Sequence, residues 1–273
     1  MKRPSTFSVY AWELRKLRAQ KRTYLGIGAA ILVPLAFTIA VALRPGEPRD
    51  VPFGRYIHET GLAIPLVMLL FGSIWFFPLI TALVAGDIVA AEDQNGTLKT
   101  ILTRSVERSQ VFGAKVAAAF TYAIFAIVLS SGFATVGGIL VSGFNPLTTL
   151  SGDKISAGQG LGLAAGAVGV YLMPIAAVTA VALLLSTWLR NSAAAVVGTL
   201  MFSLLLQLVV IIPGLGGLKP YLLSTQFNAW QGLLRSPVDW DPIVQAAWVC
   251  SAYTFPALLV ALVIFLRRDV TGG

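Results

Sequence analysis

Apolar residues run through this chain in six long blocks, 24–43, 62–88, 116–141, 161–189, 193–213 and 243–266, separated by shorter polar stretches. A helix rises 1.5 Å per residue, so about 20 apolar residues cross the roughly 30 Å of bilayer hydrocarbon. Inside that layer every backbone N–H needs a partner within the protein, which an unbroken helix supplies by itself. The pattern therefore predicts an all-α membrane protein with six transmembrane helices. The blocks at 62–88, 116–141 and 161–189 exceed the minimum length and are expected to tilt or to extend past the bilayer. Pro34, Pro65, Pro78, Pro174 and Pro256 fall inside these blocks. In a bundle, neighbouring helices can satisfy the carbonyls that a proline frees, so the prolines leave the six spans standing.

The stretches outside the blocks have patterns of their own. Over 5–22, Phe7, Tyr10, Ala11, Leu14 and Leu17 recur at helical spacing, while Glu13, Arg15, Lys16 and Arg18 lie mostly off that stripe. This predicts an amphipathic interface helix, its apolar face in the acyl boundary and its basic residues among the phosphates of membrane lipids. Residues 214–242 carry Tyr221, Leu222, Leu223, Phe227, Trp230, Leu233 and Leu234 between Gly and Pro breakers. That run is too short to span, and short re-entrant or interfacial helices before the last span fit it. The Ser-, Gly- and Thr-rich stretch between 141 and 160 reads as a plain connector. Gly158, Gly162 and Gly166 repeat every fourth residue, which reads first as close helix packing within the chain.

Composition sharpens this reading. Of 273 residues, 56% are hydrophobic and 12% charged, against roughly 25% charged in soluble domains. The net charge of +8 would point to nucleic acid in a soluble chain. Here its placement matters more, and no nucleic-acid partner is expected. Fourteen of the twenty Lys and Arg fall on the side that holds both termini, the 91–115 loop and the Arg190 turn. The positive-inside rule then puts that side in the cytoplasm of a multi-pass protein of a cell or inner membrane, expected to be bacterial. The basic N-terminus followed by a long apolar run without a small-x-small cleavage pattern reads as an uncleaved first span. Cys250 is the sole cysteine, so an intrachain disulfide is excluded.

Several chemistries are excluded as well. The chain lacks a Walker A pattern, since GLGGLKP from Gly214 has neither the spacing nor the Lys-Ser/Thr ending that cradles phosphates. It also lacks HExxH, GxSxG and CxxC, and His58 alone is a poor metal or nucleophilic centre. Ion-coupled transporters keep ionisable groups near the midplane. These spans hold almost none: Asp87 lies near the cytoplasmic end of the second, and Gln207 is the most polar group deep in the fifth. A pump built from this chain draws its energy from a partner. Trp75, Phe76, Phe77 and Tyr171, with Gln207, are candidates for a pathway that takes apolar or amphipathic cargo, and the same aromatics equally suit a lipid-facing surface.

One polar island remains, AEDQNGTLKTILTRSVERSQVFGAK, residues 91–115. Asn95-Gly96 signals a turn, and Thr97 can cap a helix that starts there. Leu98, Ile101 and Leu102 share one face of that short helix, opposite Lys99, Thr100, Thr103 and Arg104. Ser105 can cap the helix that leads through Val111 and Phe112 into the third span. A face of this kind can dock into a groove on a soluble protein.

The pattern Glu92, Gly96-Thr97-Leu98-Lys99, Leu102, Arg104-Ser105-Val106, Arg108 and Ala114-Lys115 resembles the first cytoplasmic loop of ABC-2 type transporter permeases. Where many members read Pro-Val-Ser-Arg, this chain has Ser105-Val106-Glu107-Arg108. The topology resembles that family too. The resemblance implies that 97–104 is a coupling helix seated on a cytosolic ATPase and that Phe7, Tyr10, Leu14, Arg15, Lys16, Leu17 and Arg18 lie on an elbow helix. It also implies that Glu92 and Gly96 are the family's acid and turn glycine, and that Arg104, Arg108 and Lys115 occupy its basic positions. The assembly implied is two ATPase copies, carrying ATP and magnesium, with two permease subunits, identical or paralogous. The function implied is ATP-driven export of a hydrophobic or amphipathic small molecule such as a drug, antibiotic, lipid or peptide. Two other classes stay open: a membrane anchor that binds a cytosolic complex without transport, and an ion-coupled secondary transporter, which the absence of midplane charge disfavours.

Overall fold

The Ser5 hydroxyl accepts a hydrogen bond from the Ser8 N–H at 3.2 Å and so opens α1, Thr6–Ala19, whose last turn carries Lys16 and Arg18 where cations favour the helix dipole. In the computed structural model, which describes residues 5–44, 46, 51–97, 107–214 and 216–267, the other α-helices are α2 Lys21–Leu43, α3 Ala63–Gly72, α4 Phe76–Ala85, α5 Ala90–Gln94, α6 Arg108–Ser142, α7 Ala157–Leu189, α8 Ser192–Ile211, α9 Leu223–Gln226 and α10 Asp241–Leu266. Helices α2, α6, α7, α8 and α10 are each long and apolar enough to cross a membrane, and α3 with α4 makes a sixth crossing if the bent pair is one span. The most buried long helix is α7, the central post against which α4, α6, α8 and α10 pack. It begins with a reciprocal cap between Ser156 and Gln159, and α8 begins with the Asn191 side chain accepting from the Ala194 N–H at 3.0 Å.

The 35 residues of α6 and 33 of α7 extend about 50 Å at 1.5 Å per residue, some 20 Å more than the hydrocarbon needs. Helix α6 thus starts at Arg108, eight residues ahead of the 116–141 block, in keeping with a helix that leads through Val111 and Phe112 into the third span, and it carries Arg108 and Lys115. One end of the bundle collects α1, residues 86–97, the start of α6 and the α7–α8 turn, and is termed the basic end.

The second span differs from the expectation. The block 62–88 is two helices, α3 and α4, bent by 63° across Ser73–Trp75. Pro78 explains the position of the break: it has no N–H to give the carbonyl of Ile74, and its ring would collide with that carbonyl in a continuous helix. Pro34, Pro174 and Pro256 lie within α2, α7 and α10 without dividing them. The Phe77 ring closes the break by lying on Gly72, where a methyl group would have no room.

At the end opposite the basic one, the stretch expected to be a plain connector is a small antiparallel ribbon, Leu147–Thr148 paired with Lys154–Ile155. Leu147 and Thr148 are buried, and the Leu150 N–H donates to the Leu234 carbonyl at 2.8 Å, docking the ribbon on the 214–242 segment. That segment contains α9 and tight turns at Gly216–Tyr221 and Ala229–Leu234, in keeping with short helices before the last span. Of the spaced glycines, Gly158 and Gly162 touch no neighbouring element and Gly166 meets Leu233.

Candidate functional site

Charges meet inside the basic end. Val9, Glu13 and Leu17 form the buried face of α1, which packs along the start of α6 and sends the Tyr10 hydroxyl to Thr121 at 2.8 Å. From α6 comes Lys115, its side chain 0% exposed, on a face shared with Val111, Phe112, Ala118 and Ala119. The Lys115 ammonium donates to Glu13 Oε2 at 3.2 Å and to the Ile88 carbonyl at 3.1 Å, and pairs with Glu92 Oε2 at 2.7 Å. Lys16 faces the same two acids, at 2.7 Å from Glu13 Oε1 and in contact with Glu92 Oε1, and its ammonium lies 4.1 Å from the centre of the Trp12 ring. Two carboxylates and two ammoniums thus close a ring of zero net charge that joins α1, α5 and α6.

Burial alone lowers the pKa of the Lys16 ammonium, but Glu92 and Glu13 beside it outweigh burial and raise it above its ordinary value of 10.5. A buried charge set of this kind is expensive to assemble and more expensive to break. Removing one partner of a buried pair leaves an uncompensated ion, which costs about 3–5 kcal/mol.

A second node holds the chain just ahead of Glu92. The Arg22 guanidinium at the start of α2 donates to the Asp87 carboxylate and to the Ser192 hydroxyl, and Ser192 donates to Asp87. The Ser186 hydroxyl, near the end of α7, accepts from the N–H groups of Val89 and Ala90 at 3.2 and 3.0 Å. Gln94 accepts from the Ser192 N–H at 3.4 Å, and Asp93 lies 3.9 Å from Arg190. Residues 86–94 are therefore gripped by α1, α2, α6, α7 and α8 at once. After α5 the chain turns through Gly96 at φ +68°, a left-handed conformation that favours glycine. Thr97, expected to cap a helix starting at this turn, donates its hydroxyl to the Glu92 carbonyl at 3.2 Å.

Glu92, Lys16 and Lys115 come together in the charge ring, and Gly96 and Thr97 form the turn beside it. Leu98, Lys99, Ile101, Leu102, Arg104 and Ser105 lie outside the described residues. Arg108 donates to the Leu266 carbonyl at 3.0 Å, tying the start of α6 to the end of α10.

The Phe7, Tyr10, Ala11, Leu14, Leu17 stripe, expected in the acyl boundary, is 74% exposed at Phe7, partly buried at Tyr10 and Leu14 and covered at Leu17, while Val9, Glu13 and Leu17 face the bundle. Glu13, placed off the stripe, is on the covered face because Lys115 is there to meet it. Arg15 and Arg18 stay exposed. Lys115, expected at a basic position of the 91–115 stretch, is the buried centre of the ring.

Glu13, Arg22, Asp87, Ser186 and Ser192 were not anticipated as site residues. A signal existed for one pair of them. Glu13 falls at i+4 between Val9 and Leu17, and Lys115 falls at i+4 and i−4 from Val111 and Ala119, so each apolar face carries one charge of opposite sign.

The pathway candidates separate. Trp75 is exposed at the break, Gln207 is half-buried on α8, and Phe76 and Tyr171 are buried. Phe76 lies 5.0 Å from Phe77, and Tyr171 lies 5.4 Å from Phe77 and 5.1 Å from Phe227, centre to centre. A hollow of about 400 Å³ opens between α3, α6 and α7, lined by Leu69, Ser131, Thr135, Leu161 and Val168 among others and by none of the five candidates.

Against known proteins, a family model described as ABC-2 family transporter protein matches residues 10–214. That match covers α2 to α8, α1 from Tyr10 and the whole of the gripped segment. No curated protein matches the chain.

Proposed function

Since the chain belongs to the ABC-2 transporter family and is a multi-pass permease component, we propose that it exports a hydrophobic or amphipathic small molecule, driven by a separate cytosolic ATPase that docks on residues 97–104. Two permease copies, identical or paralogous, work with two ATPase copies, and ATP and magnesium bind the ATPase. The basic end faces the cytoplasm in this reading, as the distribution of Lys and Arg favours.

One observation carries the coupling role. The segment 86–94, which leads into the docking stretch, is bonded to five helices through buried charges and hydroxyls. A loop that only connected two spans would need none of these contacts, whereas a joint that passes force needs a stiff mounting. Helix α1 is part of that mounting through Glu13 and Lys16. When the ATPase dimer closes on ATP, a push on 97–104 reaches Glu92 and Asp87 and from there α1, α2, α6, α7 and α8. To turn a 1:99 distribution of inward- and outward-open arrangements into 99:1, ATP must favour the second by about 5.5 kcal/mol. The apolar character of the spans supports an apolar or amphipathic cargo, because charged cargo would need paired charges along its path.

The test replaces Leu98 and Ile101 together with Asp in the full chain and measures how much ATPase co-purifies from its own membranes. Loss of the ATPase with the helical content unchanged is the expected result. Undiminished association and transport would overturn the assignment.

A further inference from the structure

Helices α3 and α4 meet at a 63° bend and are anchored to different things. Ahead of α3 the chain is held by a clasp of one backbone hydrogen bond and several from small side chains to backbone carbonyls. The Gly61 N–H donates to the Gly143 carbonyl at 2.9 Å, the Thr60 hydroxyl to the Asn145 carbonyl at 2.9 Å, and the Ser142 hydroxyl to the Ile57 carbonyl at 2.6 Å. Gly61 and Gly138 approach so closely that neither has room for a methyl group. Helix α4 runs the other way, into Gly86, which lies on the backbone of Val196, and into the gripped segment from Asp87. The break therefore separates a half whose far end is clasped to the end of α6 from a half whose far end runs into the 86–94 segment, and α4 also packs on α2, α6, α7 and α8.

Helix α4 also begins a series of ring contacts that reaches the far end of the molecule. Phe77, in the first turn of α4, touches the ring of Tyr171 on α7 at 5.4 Å, and Tyr171 touches the ring of Phe227 in the 214–242 segment at 5.1 Å. All three are at most 2% exposed, and at interior packing density a displaced ring pushes the ring against it. Phe227 directly follows α9, which is tied to α8 by the Ser224 hydroxyl donating to the Leu206 carbonyl at 2.8 Å.

We propose that the Ser73–Trp75 break is a hinge and that the buried Phe77, Tyr171 and Phe227 rings carry the motion of α4 to the 214–242 segment, making that segment the responder at the far face. This rests on the coupling role proposed for 97–104.

The experiment uses the full chain in complex with the ATPase that co-purifies with it, in membrane vesicles. Cys250 is replaced by Ala, and an exposed reporter, Leu218→Cys, is placed in the Gly216–Tyr221 turn. A membrane-impermeant maleimide reads its labelling rate with and without ATP trapped by vanadate. In the reference chain the rate changes several-fold with trapped ATP. Phe77→Leu, Tyr171→Leu and Phe227→Leu each abolish that change while ATPase association persists, and Tyr171→Phe, which keeps the ring, retains it. Pro78→Ala, which allows α3 and α4 to fuse, weakens it. Should one core variant fail to insert, Phe227→Leu at the end of the ring series decides. A response that survives in the Leu variants, that is lost equally in Tyr171→Phe, or that is missing from the reference complex overturns the relay. If no ATPase is bound to the reference chain, the coupling role fails and the relay with it.

Discussion

The two ends of this bundle hold their connecting segments by different physics. At the basic end, Glu13, Lys16, Glu92 and Lys115 bind three helices through side-chain charges, with Arg22, Asp87 and Ser192 as a second node. At the opposite end the clasp is short-range and uncharged: Gly61 against Gly138 and Gly143, and Asn145 donating to the Glu59 and Ser142 carbonyls at 2.8 and 3.1 Å. A buried charge ring stands or falls with each member, because every ion compensates another. An uncharged clasp has no ion to leave uncompensated, but it has no spare volume. The first arrangement suits a joint that receives force, and the second suits a fixed anchor.

Substitutions at the two ends should separate these behaviours. The largest effect is expected from Lys115→Met, which leaves Glu13 buried and Glu92 partly buried with Lys16 as their remaining cation. The loss should be about 3–5 kcal/mol, read as a lowered Tm of the purified chain. Adding Glu13→Gln to that variant should recover part of it, and a Lys115→Met chain as stable as its parent would show that the ring does not hold the basic end.

Gly138→Ala tests the other end. Its methyl group would strike the Gly61 backbone, so overpacking of about 1–3 kcal/mol is expected. Gly132→Ala on the same helix meets nothing within 4 Å and serves as the control. ATPase association should survive in Gly138→Ala, since the clasp lies at the end away from the coupling segment. Equal losses in the two glycine variants would mean that helix α6, rather than the clasp, sets the cost.

The smallest effect is a pH dependence through Lys16. Its pKa is raised in the folded chain, so its contribution is complete below the ordinary 10.5 and is lost as pH rises through the higher folded value. Stability measured from neutral pH to well above 10.5 should show that alkaline loss, and Glu13→Gln should shrink it. The effect is modest because the Lys16 side chain is 25% exposed. A loss that is the same with and without Glu13 would assign it to other groups.

Much of the fold was legible in the order of residues. Blocks 24–43, 161–189, 193–213 and 243–266 match α2, α7, α8 and α10 within a few residues, because a stretch that must satisfy its own backbone in hydrocarbon has little choice but to be helical. The second block was legible as apolar but not as bent. Pro78 marks where a helix is weakened, yet Pro34, Pro174 and Pro256 carry the same local signal inside intact helices. Which proline breaks a helix depends on whether a neighbour can fill the gap, as Phe77 does over Gly72.

The candidate site was legible in pieces. Glu92, Gly96, Lys115 and Lys16 were singled out, but as a loop and an interface helix rather than as parts of one charge ring. Glu13 and Lys115 lie 102 residues apart in sequence, and helical periodicity says which face each occupies without saying which faces meet.

By itself, the sequence determined that the chain is a helical membrane protein, roughly where its apolar helices lie, and which polar stretch stands apart from them. These features answer to the local demands of backbone and hydrocarbon, which any position feels whatever lies across from it. Only the tertiary structure decided that α1 turns Glu13 inward, that Lys115 is the buried centre of a charge ring, and that the second span breaks between two differently anchored halves. Those outcomes depend on partners distant in the chain: a charge becomes a bond, and a proline a break, only when packing brings the complementary group within a few ångströms.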